Sequence, residues 1–223
     1  MQPQSFPYIV PICNEKIDIL YEDDYLLLIH KPAFLLSMPG RHPDNKDSVI
    51  TRLTQTWPSA SLVHRLDLDT SGIMVIPKTK FVHADISKQF QARSISKTYI
   101  AVVDGLLTEA AGTIELPIAK DWQNRPLQKI CHDTGKASTT HFKVIEKNTG
   151  EKITRLELTP ITGRTHQLRI HLSTIGHPIL GCDLYATDVA FKKANRLLLH
   201  AQKLTLTHPI YKKPLSMVCE PAF

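Results

Sequence analysis

A short apolar run, Ile73 to Ile76, places the tightest constraint on the fold of this 223-residue chain. Four apolar residues without polar alternation are typical of a strand that is covered on both faces of its sheet. The nine residues before the run, 64–72, are mostly polar and end in Ser71-Gly72, a pair that is typical of a turn. The sequence therefore predicts a tight loop that holds a His, an Arg and an Asp at the mouth of a rigid sheet.

Composition and charge narrow the class of protein. The chain is long enough for one large domain or two small ones with a substantial core. Its net charge of +6 and pI near 9.1 suit a polyanionic partner without proving one. The four cysteines form no C-x-x-C pair, so we predict reduced thiols rather than a disulfide framework or a zinc site. No signal peptide and no apolar run near the ~20 residues of a membrane span is present, which predicts a soluble cytoplasmic protein.

Hydrophobic periodicity and turn residues predict the order of the elements. Residues 1–16 contain three prolines and are predicted to form an extended arm, and residues 17–223 a single domain. Strands are predicted over 26–29, 73–76, 97–105, 137–146, 153–159, 196–201 and 204–209. Helices are predicted over 48–56, over 80–93 with Thr79 as N-cap, and from Thr165 as N-cap to Gly176 as the residue after the helix.

Four motifs lie along the chain in a recognisable order. They read H-R-L-D-x-x-T-S-G from His64, K-x-Y-x-A-x-x-x-G from Lys97, G-R-T-H-Q-L-R-x-H from Gly163, and R-L-x-L-H-A…H-P from Arg196. Together they resemble the RluA family of pseudouridine synthases over nearly the whole chain. The resemblance implies an α+β fold with a bent, mixed, mostly antiparallel central sheet, flanking helices and a central cleft. The chain is similar to shorter members of the family that lack a separate N-terminal RNA-binding module.

The resemblance also implies an activity. Family members convert uridine in RNA to pseudouridine, and because this isomerisation has no net redox change it needs no cofactor. Segments such as D-W-Q-N-R-P at 121–126 resemble members that modify stem-loops of both 23S rRNA and tRNA, in the tRNA case the anticodon stem-loop. The implied partner is RNA rather than DNA or a membrane, and the implied state is a monomer. The charged segment 121–136 is predicted to be a surface loop or hairpin whose charges face RNA, or alternatively a plain solvated loop.

Roles for individual residues follow from the matched motif positions. Asp67 is the implied nucleophile, ionised at neutral pH, and can attack the sugar or the base or support elimination to a glycal. Arg164 is implied to pair with Asp67 and keep it charged. Tyr99 is implied to stack on a flipped uracil and to assist removal of the carbon-5 proton, while Arg65 fills the space that the base leaves. The remaining residues of the predicted RNA-binding set are His64, Thr70, Arg169 and Leu199.

Two other functional classes fit part of the pattern. Asp67 and Asp69 are two carboxylates in one loop, as in a glycosidase, although the family pattern specifies no acid at position 69 and a solvated loop residue is expected there. A non-catalytic RNA-binding module would share the charge and the loops. A metal site is disfavoured because His166 and His171 are five residues apart and do not share a helix face.

Two positions depart from the family pattern in the segment after the first predicted strand. His30 stands where Asn is usual, and Phe34 stands where Gly is usual. If the backbone at position 34 requires a positive φ, the Phe side chain makes that conformation strained.

Overall fold

The computed structural model describes residues 8–223 and contains one large mixed sheet with four helices against it. The helices are α1 (Val49–Leu53), α2 (Lys80–Gln91), α3 (Gln167–Thr174) and α4 (Asp188–Lys192). The strands are β1 (Asp18–Glu22), β2 (Leu26–Lys31), β3 (Ser71–Pro77), β4 (Ser96–Asp104), β5 (Ala111–Glu115), β6 (Ile118–Lys120), β7 (Gln128–Ile130), β8 (Thr139–Asn148), β9 (Ile153–Pro160), β10 (Leu199–Thr207) and β11 (Pro214–Val218).

The sheet runs in the order β1-β2-β3-β10-β4-β9-β8-β5, and β11 pairs with the end of β10. Every pairing in it is antiparallel except the short parallel contact of β10 with β3. A separate two-stranded sheet joins β6 and β7, and β7 lies within the charged segment 121–136. The predicted α+β fold with a mixed, mostly antiparallel sheet is confirmed.

Strands β2 and β3 are covered on both faces, as the apolar run predicts. Leu27 and Met74 face a core that includes Val49 and Leu53 of α1. Alternate residues of the same two strands face a second core, to which α2 contributes Val82 and Ile86. Because successive side chains of a strand point to opposite faces, an unbroken apolar run is what such a position requires.

The first two predicted helices begin where their capping residues stand. The side chains of Ser48 and Thr79 each accept a hydrogen bond from the backbone N–H three residues on, at the starts of α1 and α2. The predicted cap of α3 is wrong. Thr165 does not cap it, because the helix starts at Gln167 and its N-cap is His166 in the left-handed conformation, with φ 55° and no side-chain capping bond. Gly176 follows the helix as predicted, with φ 86°.

Near the C-terminus, the structure has one strand where the sequence predicts two. The two segments predicted over 196–201 and 204–209 form one strand, β10, whose pairing register with β4 shifts between Ala201 and Lys203. Of the arm predicted for residues 1–16, residues 1–7 lie outside the described part of the chain, and 8–16 form neither helix nor strand. The chain then enters β1, a strand that the sequence analysis missed.

The backbone at Phe34 has the positive φ that would be strained for a residue with a side chain. Its φ is 62°, in the left-handed region that glycine adopts without steric cost. The position therefore keeps the backbone shape for which Gly is usual, and the Phe side chain is accommodated half-buried beside the segment 11–15.

Gly72 has a different role from the predicted turn. It lies inside β3 with φ 122°, at the point where β3 pairs with Ala201 of β10. A Cβ built on it would lie 2.4 Å from the carbonyl oxygen of Ala201. The glycine is therefore needed for the close approach of two backbones, and the turn of the loop comes earlier, where the N–H of Thr70 donates to the carbonyl of Asp67.

We expect Gly72→Ala to lower the free energy of unfolding by more than about 2 kcal/mol, because the added methyl group must displace backbone atoms of β10. Gly176→Ala is the matched control, since Gly176 also has a positive φ but has no heavy atom within 4 Å of the added Cβ. Its cost should stay near the ~1–2 kcal/mol of a left-handed residue. Urea denaturation of both variants measures the difference, and equal losses would contradict this role for Gly72.

Candidate active site

A cleft of about 540 Å³ opens between the loop before β3 and the segment that joins β9 to α3. Its lining includes five Arg or Lys side chains and a single carboxylate, Asp67. The basic side chains are Arg65, Arg93, Lys97, Arg164 and Arg169. Of these, only Arg169 forms an ion pair with an acidic side chain within residues 8–223. The cleft is therefore electropositive around one acidic group.

The loop that carries Asp67 is fixed on both sides of that residue. The Ser37 hydroxyl donates to the carbonyl of Leu66 at 2.7 Å and accepts from the N–H of Leu66 at 3.1 Å. The ammonium of Lys31 donates to the carbonyl of Leu68 at 3.1 Å. With the turn from Asp67 to Thr70, these bonds hold the carboxylate at the cleft without using its own oxygens.

Lys31 supports the loop of Asp67, a role that the sequence did not indicate. Its side chain is fully buried, and its Nζ also donates to the carbonyls of Pro32 and Leu35. Burial lowers the pKa of Lys31 to about 7, against the charges of Asp69 and Asp67, which act to raise it. Its place after the first apolar strand and before Pro32 was the available signal, but nothing local indicates that the side chain turns inward.

The depressed pKa of Lys31 predicts a pH dependence of stability. Between pH 7 and about 10.5 the unfolded chain binds a proton at Lys31 that the folded chain has released, so this group makes stability rise with pH in that window. Below pH 7 both states are protonated and the contribution is constant. The stability difference between wild type and Lys31→Met should therefore grow in favour of wild type by up to about 1.4 kcal/mol per pH unit. Urea titrations from pH 6 to pH 9 measure it, and a pH-independent difference would contradict it.

Asp67 is half-buried, with a fifth of its side chain exposed, and it faces two basic residues of the α3 segment. Nε2 of His166 lies 4.0 Å from its Oδ2. Arg169, 2 % exposed, is ion-paired with Asp183, and its Nε and Nη2 each donate to Sγ of Cys182 at 3.3 Å. Although burial alone would lower it, the pKa of Arg169 is raised because Cys182, Asp183 and Asp67 surround the guanidinium.

The predicted pairing of Arg164 with Asp67 is wrong. The Arg164 guanidinium donates to the carbonyl of Ala137 at 3.3 and 3.4 Å, and within residues 8–223 only His166 places a basic nitrogen within 4.0 Å of the Asp67 carboxylate. Arg164 precedes the turn into α3 and contacts the segment just before β8, whereas Arg169 is inside the helix and lines the cleft together with Asp67. Arg169 is 2 % exposed and lines the cleft from its buried side, so its predicted contact with RNA stays a prediction.

Tyr99 and Leu199 lie where the resemblance implies, on the walls of the cleft. The half-buried Tyr99 ring packs between two hydrophobic cores and reaches the same space as Asp67. Burial, and then the charge of Asp67, raise the pKa of Tyr99, so its phenol stays protonated at neutral pH. This favours a stacking role over a role as free base. Leu199 is 3 % exposed, belongs to a hydrophobic core and also lines the cleft.

Three further predicted site residues line the cleft with different exposures. Arg65 is exposed at its mouth, and Thr70 is buried at the end of the turn. His64 is not free to bind RNA by charge. Its Nε2 accepts a hydrogen bond from the backbone N–H of Val75 at 3.0 Å, its ring packs on Phe90, and burial lowers its pKa to about 3. The imidazole stays neutral and ties the loop to β3.

Asp69 is not the solvated residue that was expected. It is half-buried, it does not line the cleft, and burial raises its pKa, with Asp183 adding to the effect. Since only one carboxylate faces the cleft, the two-carboxylate arrangement of a glycosidase is not formed there.

Gln167 is a second residue that the sequence analysis missed. Its buried side-chain oxygen accepts from the Thr162 hydroxyl and from the N–H of Arg164, and its Nε2 donates to Thr139 and Thr140 of β8. It holds the loop before α3 against the sheet. Its central position in the dense motif 163–171 was a signal, but two of its partners, Thr139 and Thr140, come from a distant part of the chain.

A search of residues 8–223 found no group of three or more His, Cys, Asp or Glu side chains placed to hold a metal ion. Nε2 of His171 donates to the carbonyl of Leu116 at 3.0 Å, and its Nδ1 lies 3.0 Å from the Thr140 hydroxyl, so both ring nitrogens have partners within the fold. In the same residues no helix has both the length and the apolar character needed to cross a membrane.

The α+β fold thus places one carboxylate and one tyrosine in an electropositive cleft, and comparison with known proteins gives the family. Residues 25–174 match the family of RNA pseudouridylate synthases. The chain is 48 % identical to the dual-specificity RNA pseudouridine synthase RluA of Yersinia pestis, over 92 % of this chain and 99 % of that protein. It is also 48 % identical to the RluA of Escherichia coli K12, over 86 % of this chain and 88 % of that one.

The solved structures agree. A human RNA pseudouridylate synthase domain containing protein 1 superposes with a TM-score of 0.79 at 26 % identity, covering 96 % of this chain and 86 % of that one. The chain belongs to the RNA pseudouridine synthase family, within the RluA group. It is an isomerase whose substrate is uridine in RNA, and enzymes of this family need no cofactor.

Proposed function

We propose that Asp67 is the nucleophile that isomerises a flipped-out uridine in stem-loops of 23S rRNA and of tRNA, in tRNA the anticodon stem-loop. The observation that carries this proposal is the lone carboxylate of Asp67 in a basic cleft whose wall is the Tyr99 ring. The relatives named dual-specificity enzymes support the two RNA classes.

The chemistry asks for few groups. The bond between N1 of uracil and C1′ of ribose breaks, the base turns over, and a bond from C5 to C1′ forms. The hydrogen on C5 leaves and N1 gains one, so the mass of the RNA is unchanged. An ionised carboxylate serves each of the three routes open to Asp67, which are attack on the sugar, attack on the base, and elimination to a glycal.

The basic side chains support the ionised carboxylate and the RNA. Arg169 takes the role that the sequence analysis gave to Arg164, because its buried charge faces Asp67. Arg164, Arg93 and Lys97 lie at the cleft, have no carboxylate partner within residues 8–223, and suit phosphates of the RNA chain.

The target base must leave its stack to reach Asp67. Flipping costs a few kcal/mol, and least in a loop, which favours hairpin substrates. Tyr99 offers a face on which the extruded uracil stacks, worth roughly 1–3 kcal/mol, and Arg65 at the mouth is placed to enter the vacated space. Thr70 and Leu199 shape the pocket around the base.

We further propose that residues 17–223 form one catalytic domain, that the enzyme works as a monomer in the cytoplasm, and that it binds neither DNA nor membranes. The basic cleft and the small size of the chain suit a compact RNA hairpin. The β6–β7 hairpin, with Trp122 between Lys120 and Arg125, is a candidate surface for contacts to that RNA.

Carbodiimide mapping of pseudouridine in total RNA tests the substrates. In cells that lack this protein, the signal should disappear at one uridine in a tRNA anticodon stem-loop and at one in a hairpin of 23S rRNA, and return with the wild-type gene. Loss at only one RNA class would restrict the proposal to that class. An unchanged map would overturn it.

A further inference from the structure

The strained residue nearest the nucleophile is His166. Its backbone is left-handed, with φ 55° and ψ 17°, directly before α3. Left-handed non-glycine residues persist where surrounding contacts hold them, and they cluster at functional sites. Here the strain turns the imidazole toward the cleft, where its Nε2 lies 4.0 Å from Oδ2 of Asp67.

The other ring nitrogen is fixed from outside the cleft. Nδ1 of His166 lies 2.8 Å from the hydroxyl of Tyr185, and that hydroxyl accepts a hydrogen bond from the backbone N–H of Gln128 at 2.9 Å. Since the N–H of Gln128 occupies one lone pair of the hydroxyl, its hydrogen is free to be donated to Nδ1. The two rings meet edge to face, with centroids 5.6 Å apart.

Both ends of this chain of contacts select the same tautomer. If Tyr185 donates to Nδ1, the imidazole carries its hydrogen on Nε2, and this N–H faces the Asp67 carboxylate. The opposite tautomer would set a lone pair of Nε2 against the negative charge of Asp67. Burial lowers the pKa of His166, with the charge of Asp67 acting in the other direction, which keeps the ring neutral in the free enzyme.

The charged and titratable groups around the ring come from three segments. They are Asp67 and Arg65 of the loop before β3, Arg169 of α3, and Asp183 and Tyr185 of the loop after α3. The two guanidinium groups act against protonation of the ring, and the two carboxylates act in its favour. A neutral donor is therefore compatible with every neighbour.

We propose that His166 is a positioning residue for the nucleophile: the Tyr185 hydroxyl fixes its tautomer, and its Nε2–H orients the Asp67 carboxylate toward the flipped nucleotide. This inference rests on the proposed role of Asp67. It gives the β6–β7 hairpin a link to the nucleophile, because Gln128 is the first residue of β7.

His166→Gly is the discriminating variant, because glycine adopts the left-handed conformation without strain and the loop can keep its shape. We expect kcat on a stem-loop RNA to fall roughly 10–100-fold, the size of effect that misplacement of a reacting group produces. KM should be unchanged, and the urea midpoint should be equal or higher. Imidazole added to the buffer should restore part of kcat by entering the space of the lost ring, without effect on wild type or on Asp67→Asn.

Tyr185→Phe removes the hydroxyl that contacts Nδ1 of His166, and it should lower kcat less than His166→Gly does. In wild type, ¹⁵N NMR should show Nδ1 of His166 as the nitrogen without a hydrogen. Full kcat in His166→Gly, or a hydrogen on Nδ1 with none on Nε2, would overturn the inference. So would a loss of kcat accompanied by a lower urea midpoint and no rescue, which marks a purely structural role. An active wild type and an inactive Asp67→Asn would leave the proposed function intact in each of these cases.

Discussion

Asp67→Asn should abolish pseudouridine formation, with a loss of at least about 10⁴-fold in kcat, the scale seen when a nucleophilic group is removed. The substitution keeps the shape of the side chain and removes its charge, and the loop is held by Ser37, Lys31 and backbone bonds that do not involve the carboxylate. The variant should therefore fold and still bind stem-loop RNA. Release of tritium from uridine labelled at carbon 5 measures the reaction.

Asp69→Asn is the matched control for this experiment. It removes a carboxylate two residues away that does not line the cleft, so turnover should stay near the wild-type value. If the Asp69 variant were inactive and the Asp67 variant active, the assignment of the nucleophile would be wrong. If both variants retained full turnover, a carboxylate mechanism in this loop would be excluded.

Arg169→Met should lower kcat by roughly 10²–10³-fold, the range found when one preorganised electrostatic partner is removed from an active site. The guanidinium is buried and lines the cleft with Asp67, so its loss removes a buried positive charge that acts on that carboxylate. Arg169→Lys should recover part of kcat, since it restores charge but not the planar fork that reaches Cys182 and Asp183 together.

Arg164→Met is the comparison that separates the two arginines. Arg164 binds the carbonyl of Ala137 and lines the cleft, so its loss should raise KM for RNA and reduce the salt dependence of binding, with kcat little changed. Single-turnover kinetics on the same stem-loop RNA measure both variants. A large loss of kcat at position 164 with none at position 169 would restore the arrangement inferred from the motif.

Local sequence signals predicted the parts of the fold that depend on local physics. The run Ile73 to Ile76 specifies a strand between two cores, and Ser48 and Thr79 start the first two helices because their hydroxyls reach N–H groups three residues on. The order of the sheet was not available from such signals. Strand β10 pairs with β3 and β4, which both lie far from it in the sequence, and its register with β4 shifts between Ala201 and Lys203.

Most of the errors have one physical origin, which is a contact made by a distant segment, and the cap of α3 is the exception. The residues around Gly72 suggest a turn, but a glycine is required there because the backbone of Ala201 approaches it closely. Thr165 is a good N-cap by type, yet the turn from Arg164 to Gln167 sets the helix start one residue later. That start also decides which arginine of the motif faces Asp67. Lys31 and Gln167 were missed because their hydrogen-bond partners are backbone and side chains of other segments.

The most direct test of the central claim is the fate of one uridine in an isolated tRNA anticodon stem-loop incubated with the purified protein. We expect a carbodiimide-reactive pseudouridine, an RNA of unchanged mass, tritium released from carbon 5 and no free uracil. With Asp67→Asn, neither the pseudouridine nor the released tritium should appear. Free uracil with an abasic RNA, or full conversion by the Asp67 variant, would contradict it.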